Sequence, residues 1–155
     1  MTARGGAAPC AVVDTNILLD CWVFDDAAAR PLWQAVLQRR LGCLRTAATD
    51  AELLDVLGRP VCERRLAARA MQPGSLLAQW RDLAQLVDKV FAAPWRCTDP
   101  HDQKFLDLAV SARAQLLVTK DKALLKLARR ARRDGLAIVP VATALEHLAR
   151  VDAAD

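Results

Sequence analysis

Histidine is scarce in this chain of 155 residues: His101 and His147 are the two it has. A cysteine nucleophile needs an imidazole partner, and only these two are available, so Cys–His hydrolysis has little support. The five cysteines, Cys10, Cys21, Cys43, Cys62 and Cys97, are odd in number, widely spaced and never in a C-x-x-C pair. That argues against a disulfide framework or a zinc-thiolate site and leaves reduced thiols packed as small apolar groups. No uncharged run approaches the roughly 20 residues of a transmembrane helix. The opening MTARGGAAPCAVVDTN meets an acid before a signal-peptide core can form, so the expected location is the cytoplasm, away from membranes. Neither charge sign dominates, with 22 Lys+Arg against 18 Asp+Glu and a net charge of +4. A hydrophobic fraction of 54% with 26% charged residues excludes intrinsic disorder. No repeat, low-complexity tract or linker divides the sequence, which predicts one domain over residues 1–155 with its core at about 10–145, long enough to bury a core without metal or disulfide support.

Strand-like and helix-like segments alternate from end to end, the pattern of a parallel sheet with helices on its faces. Short apolar runs predict strands at Cys10–Val13, Cys43–Thr46, Ala114–Thr119 and Leu136–Val141. Apolar spacings of three and four predict helices at Pro31–Arg40, Asp50–Leu57, Leu76–Phe91, Asp102–Arg113 and Ala123–Arg133. A last helix, Thr143–Arg150, has Thr143 as its cap and Glu146 as the other half of a capping box. The main non-periodic loop is Ala93–Pro100. The fold class is α/β, in three layers, with four or five parallel strands.

Open parallel sheets bind ligands outside the carboxyl ends of their strands. Asp14 ends the first strand, and Asp121 follows LLVT. Glu52 lies near the start of the helix after the second strand, and Asp102 begins the helix after the long loop. All four acids therefore fall at one end of the sheet and converge if the strands are parallel. Clustered carboxylates repel unless a cation neutralises them, and an all-oxygen site suits Mg²⁺ or Mn²⁺. Such a centre fits phosphodiester hydrolysis, in which the ion activates water and offsets charge on the leaving oxygen. Asn16 is placed to orient Asp14, and Thr119 to orient Asp121. Each acid also has a plainer reading. Asp14 is a common strand-exit residue, Asp55 competes with Glu52, Asp121 is a preferred helix cap, and either Asp99 or Asp102 caps the helix that follows. The spacing before Phe105 favours Asp102 as the ligand, with Asp99 as support or cap, and Asp107 reads as a solvated or supporting acid.

Asp14-Thr15-Asn16, Glu52 in AELLDVLGRP, Asp102 in DPHDQKFLDLA and Asp121 in LLVTKDKALL resemble, in order, the four acidic motifs of the PIN domain family. The segments VLGRP and D-x-x-D-x-x-F further resemble the branch described as toxin components of toxin-antitoxin systems. The resemblance implies a Rossmann-like α/β/α sheet, a metal-dependent endoribonuclease with Asp14, Glu52, Asp102 and Asp121 as catalytic metal ligands, and often a small antitoxin partner and a homodimer. Two departures stand out. Lys120 occupies a place where the family commonly has a small residue, and Trp22-Val23-Phe24 is bulky beside the first motif. The main rival is a non-catalytic PIN-like module that binds RNA or protein. An Asp-phosphorylated switch fits poorly, because Asp14-Thr15-Asn16 lacks the D-x-D pair such chemistry favours.

From Lys120 to Arg133 the sequence carries seven cations and one acid. Lys120, Arg129, Arg130, Arg132 and Arg133 are the candidate contacts to an RNA backbone, against the alternative of a solvated helix face. Trp95, in the loop before Asp99, is the one tryptophan placed to stack on a base.

Overall fold

The computed structural model of the chain describes residues 8–154. Five strands, β1 (Cys10–Val13), β2 (Gly42–Arg45), β3 (Ala84–Leu86), β4 (Leu116–Val118) and β5 (Ala137–Val139), form one sheet among the described residues. Every pairing is parallel and the order is β3-β2-β1-β4-β5. The chain winds outward from β1 to β3 on one side, then crosses back to β4 and β5 on the other. The reversal between β1 and β4 is the topological switch point, where the crossovers leave in opposite directions and open a crevice at the carboxyl ends.

The helices are α1 (Thr15–Trp22), α2 (Arg30–Leu37), α3 (Ala47–Leu57), α4 (Pro60–Ala68), α5 (Pro73–Leu83), α6 (Gln103–Ser111), α7 (Lys122–Leu125), α8 (Ala128–Arg133) and α9 (Val141–Ala154). They make the two outer layers of an α/β/α sandwich. Successive residues of a strand face opposite layers. Thus Leu116 and Val118 join Ile17, Leu53, Leu66, Trp80 and Leu148 in one core, whereas Leu117 joins Phe105, Leu106, Leu124 and Ala131 in the other. Trp22, Trp33 and Trp80 cluster in the first core, with Trp22 edge-on to the other two at centroid distances of 5.2 and 6.0 Å. The cysteines are free thiols, and burial pushes Cys21 and Cys43 up to about 12, consistent with inert packing groups.

The larger departures from the sequence reading each have a local reason. The predicted helix Leu76–Phe91 stops at Leu83; Ala84 turns extended and β3 pairs with β2, so the apolar spacing that continues into Val87 belongs to an edge strand. Ala123–Arg133 is two short helices, broken at Lys126–Leu127. The last helix begins at Val141, directly after β5, which places Thr143 inside its first turn and removes it as the cap. Thr46 lies past β2 as the cap of α3, where its hydroxyl accepts from the Thr49 amide and the Thr49 hydroxyl binds the Thr46 amide. Two helices go beyond the sequence-based expectation. α1 begins immediately after Asp14, and α4 follows Gly58-Arg59 with Pro60 at its first position, where a missing amide hydrogen is harmless.

Candidate metal centre

Asp14 sits at the carboxyl end of β1, and its amide extends the ladder to the Val118 carbonyl at 3.0 Å. Only 3% exposed, it makes no side-chain cap bond to α1, which leaves its carboxylate turned to other partners. The partner is Thr119, fully buried just past β4, whose hydroxyl donates to Asp14 Oδ2 at 2.7 Å. The same Thr119 oxygen accepts from the Asp121 amide at 3.0 Å, so one threonine fixes the acids at the ends of β1 and β4. The expected donation from the Asn16 side chain to Asp14 is not found: Asn16 is exposed on α1 and Thr119 does the orienting instead.

Asp102 ends a 3-10 turn, Pro100–Asp102, that leads into α6. It is 9% exposed, and its Oδ2 is buried without a hydrogen-bond partner among the described residues. Asp99 caps that turn, accepting from the His101 amide at 3.0 Å. One carboxylate oxygen from each of Asp99, Asp102 and Asp121 lies within 4.8 Å of the others. Asp121 also accepts from the Ala123 amide at 2.8 Å as the cap of α7, so the capping and ligand readings of this residue are compatible.

Crowding of negative charge shows in the protonation of these acids. Asp102 is raised to about 7 by burial first, then by the Asp121 carboxyl beside it, which favours a retained proton, then by the charges of Asp14, Asp121 and Asp99. Asp14 is raised as well, chiefly by burial, with Glu52 and Asp121 adding and the Thr119 hydroxyl opposing. A set of uncompensated carboxylates, two of them buried and one with an orphaned oxygen, is what a hard cation satisfies.

A family profile described as PIN domain matches residues 10–123, the stretch that holds every acid of the centre. The chain belongs to the PIN domain family. No curated protein matches it. The PIN domain is a nuclease-type fold, and in this one the acidic cluster occupies the switch point of the sheet.

Within this PIN domain the four sequence-predicted acids do not stand alike. Asp102 and Asp121 form the close trio with Asp99, and Asp14 is tied to them through Thr119. Glu52, in the middle of α3, lies outside the trio but close enough for its charge to act on Asp14: Oε2 accepts the Thr15 hydroxyl at 2.5 Å, and Oε1 lies 2.6 Å from the Lys104 ammonium. Lys104 is a residue that sequence reasoning misses. The available signal is its place at the second position of α6, where the helix dipole disfavours a cation and some other partner must account for it.

The loop that brings Asp99 to the trio is clamped by α6. Gln103 accepts from the Cys97 amide at 2.7 Å and donates to the Trp95 carbonyl at 3.0 Å, while Asp107 accepts from the Ala93 amide and from Gln103, both at 2.8 Å. Asp107 is therefore a loop anchor. An open groove of about 360 Å³ is lined by Thr46, Leu86, Val87, Val90, Lys104 and Asp107.

Of the candidate RNA contacts, Lys120 is paired with Asp20 of α1 at 2.7 Å. Arg129, Arg130, Arg132 and Arg133 are exposed on α8 and in no ion pair among the described residues. Because β4 and β5 are parallel, α7 and α8 must carry the chain from the acidic end back to the amino end of β5. Arg129 and Arg130 are thus nearer the acids along this path than Arg132 and Arg133. Among the described residues no helix is long and apolar enough to cross a membrane.

Proposed function

We propose that this PIN domain is a Mg²⁺- or Mn²⁺-dependent endoribonuclease hydrolysing RNA phosphodiester bonds. The observation that carries the reading is the buried, unpartnered Oδ2 of Asp102 inside a trio of carboxylates at the sheet's switch point. The donor set fits: oxygen ligands from Asp99, Asp102 and Asp121 would hold the ion, with Asp14 beside them. When bound, such an ion supplies Lewis-acid polarisation of a phosphate oxygen and a water of lowered pKa.

The chain's own residues supply position. Thr119 locks the Asp14 carboxylate against rotation, and Gln103 with Asp107 holds the Asp99 loop. Hydrolysis adds water across the P–O3′ bond: the new hydroxyl stays on phosphorus and a proton goes to the departing O3′. Products then carry 5′-phosphate and 3′-hydroxyl ends. The exposed arginines at the start of α8 support contacts to the RNA backbone, a sequence-independent electrostatic term. The VLGRP and D-x-x-D-x-x-F segments support a place in a toxin-antitoxin pair, with a small antitoxin as partner, a homodimer as the assembly and the cytoplasm as the location.

The test is cleavage of mixed structured RNAs by the purified chain with Mn²⁺ or with EDTA, beside Asp14→Asn. Wild type should cut only with metal, and Asp14→Asn should lose at least ~100-fold while keeping its circular dichroism spectrum, since it removes a charge from the centre. Equal cleavage by a folded Asp14→Asn protein refutes the assignment. No metal-dependent cleavage by either protein favours the non-catalytic module.

A further inference from the structure

Both oxygens of Glu52 are already taken. Thr15 donates to one and the Lys104 ammonium lies against the other, at 2.5 and 2.6 Å. Lys104 also donates to the His101 carbonyl at 2.5 Å, which pins its ammonium between α3 and the turn that carries Asp102. The pair is mostly buried, with the two side chains 24% and 26% exposed, so it is screened less than a surface ion pair. The aspartates present the opposite picture. Among the described residues no lysine or arginine reaches Asp99, Asp102, Asp121 or Asp14, and the buried Asp102 Oδ2 has no partner. Positive charge has been supplied on the glutamate side of the centre and withheld on the aspartate side.

A lysine ammonium is a compact point charge that offers donors to carboxylate oxygens. In a carboxylate site it does what a cation does for charge, without offering a coordination position. We propose that Lys104 stands in for a second cation: its ammonium keeps Glu52 out of the ligand set, so the centre takes one divalent ion, on the aspartate side, where two-metal nucleases take two. This rests on the metal-centre reading above and makes Lys104 a positioning residue that acts through Glu52. Two-metal sites place their ions roughly 3.5–4 Å apart and need carboxylates free to face both. With Glu52 bound to Thr15 and Lys104, its carboxylate is not free to face a second ion.

The experiment counts ions with no RNA present. Mn²⁺ is titrated into the full chain and the free ion is followed by electron paramagnetic resonance, for wild type, Lys104→Gln, Glu52→Gln and the double variant. Wild type should bind one Mn²⁺ per chain. Lys104→Gln frees a carboxylate and should bind two, and the double variant should return to one. Glu52→Gln alone should keep its single ion, a result that holds the proposal to account even if Lys104→Gln fails to fold. Two ions in wild type, one in a folded Lys104→Gln, two in the double variant, or none in a folded Glu52→Gln each overturns the role given to Lys104. Absence of Mn²⁺ binding by wild type overturns instead the metal-centre reading on which it stands.

Discussion

Asp102→Asn tests the crowding of the aspartates on the metal-free protein. The substitution removes charge while leaving capping unchanged, because Asp102 has helical dihedrals (φ −92°, ψ −11°) and makes no side-chain cap bond to α6. The folded-state value of about 7 lies above the ordinary 3.8, so this acid behaves opposite to a salt-bridged carboxylate. Below pH 4 the group is protonated in both folded and unfolded chains and has no differential effect. Between pH 4 and 7 the unfolded chain releases the proton while the folded chain keeps it, so stability falls as pH rises, and the loss is complete above pH 7. A tenfold difference in proton affinity between the two chains is worth about 1.4 kcal/mol, so the ceiling is about 4 kcal/mol. The acids around Asp102 remain in the variant, so removing its charge should recover about 2 kcal/mol of that. For a chain of this size that is a rise in Tm of about 4–8 °C. Melting is followed by circular dichroism in EDTA at pH 4 and pH 8. Asp102→Asn should melt higher than wild type at pH 8 and within about 1 °C of it at pH 4. Saturating Mn²⁺, at about a hundred times its Kd, should stabilise wild type by about 2.7 kcal/mol and the variant by less. A variant that melts at or below wild type at pH 8, or that gains equally at both pH values, shows that the acids do not share a site.

Thr119→Val keeps the shape of a fully buried residue and removes both the bond to Asp14 Oδ2 and the acceptor of the Asp121 amide; it should cost about 2–3 kcal/mol in thermal melts and lower metal-dependent cleavage, and a loss under about 0.5 kcal/mol would show that the hydroxyl is idle. Neutralising Arg129 and Arg130 should flatten the slope of log K against log[salt] for single-stranded RNA by up to about 1.4, at about 0.7 per lost phosphate contact, and by more than neutralising Arg132 and Arg133 does. Equal slopes for all three proteins would make α8 a solvated face.

Much of the sheet is legible in the sequence because its central strands are short apolar runs bounded by polar exits, and burial on both faces leaves such runs no other home. β1 and β4 are of this kind, and β5, at the far edge, is as apolar and mostly buried. β3 is not legible: Leu83, Val87 and Val90 continue the spacing of α5, and only pairing with β2, far away in sequence, turns Ala84–Leu86 into a strand. Gln85 and Leu86 are exposed, so β3 lacks the burial signature that marks the other strands. The start of α9 misleads for a related reason. Thr143 and Glu146 satisfy the local rule for a capping box, yet the Ala144 amide already bonds to the Pro140 carbonyl, so the helix is under way before Thr143 can cap it.

The centre shows where residue spacing stops being informative. Position after a strand identifies which carboxylates reach the sheet's carboxyl end, because parallel strands share that end by construction. It does not say what else comes within hydrogen-bonding reach of each one. Asp99 reads as a cap and is one, yet the clamp from Gln103 and Asp107 carries it into the trio. Glu52 reads as the equal of Asp102, yet α3 delivers it to Thr15 and Lys104. Lys104 itself sits two residues after Asp102, at the second position of α6. A cation so close in sequence to a buried acid can either neutralise that acid or spare it by pairing with another. Here it pairs with Glu52 and leaves Asp102 Oδ2 bare. That choice separates a centre whose carboxylates are all met by its own side chains from one that leaves a buried oxygen open, and it depends on tertiary placement that no spacing of acids along the chain encodes.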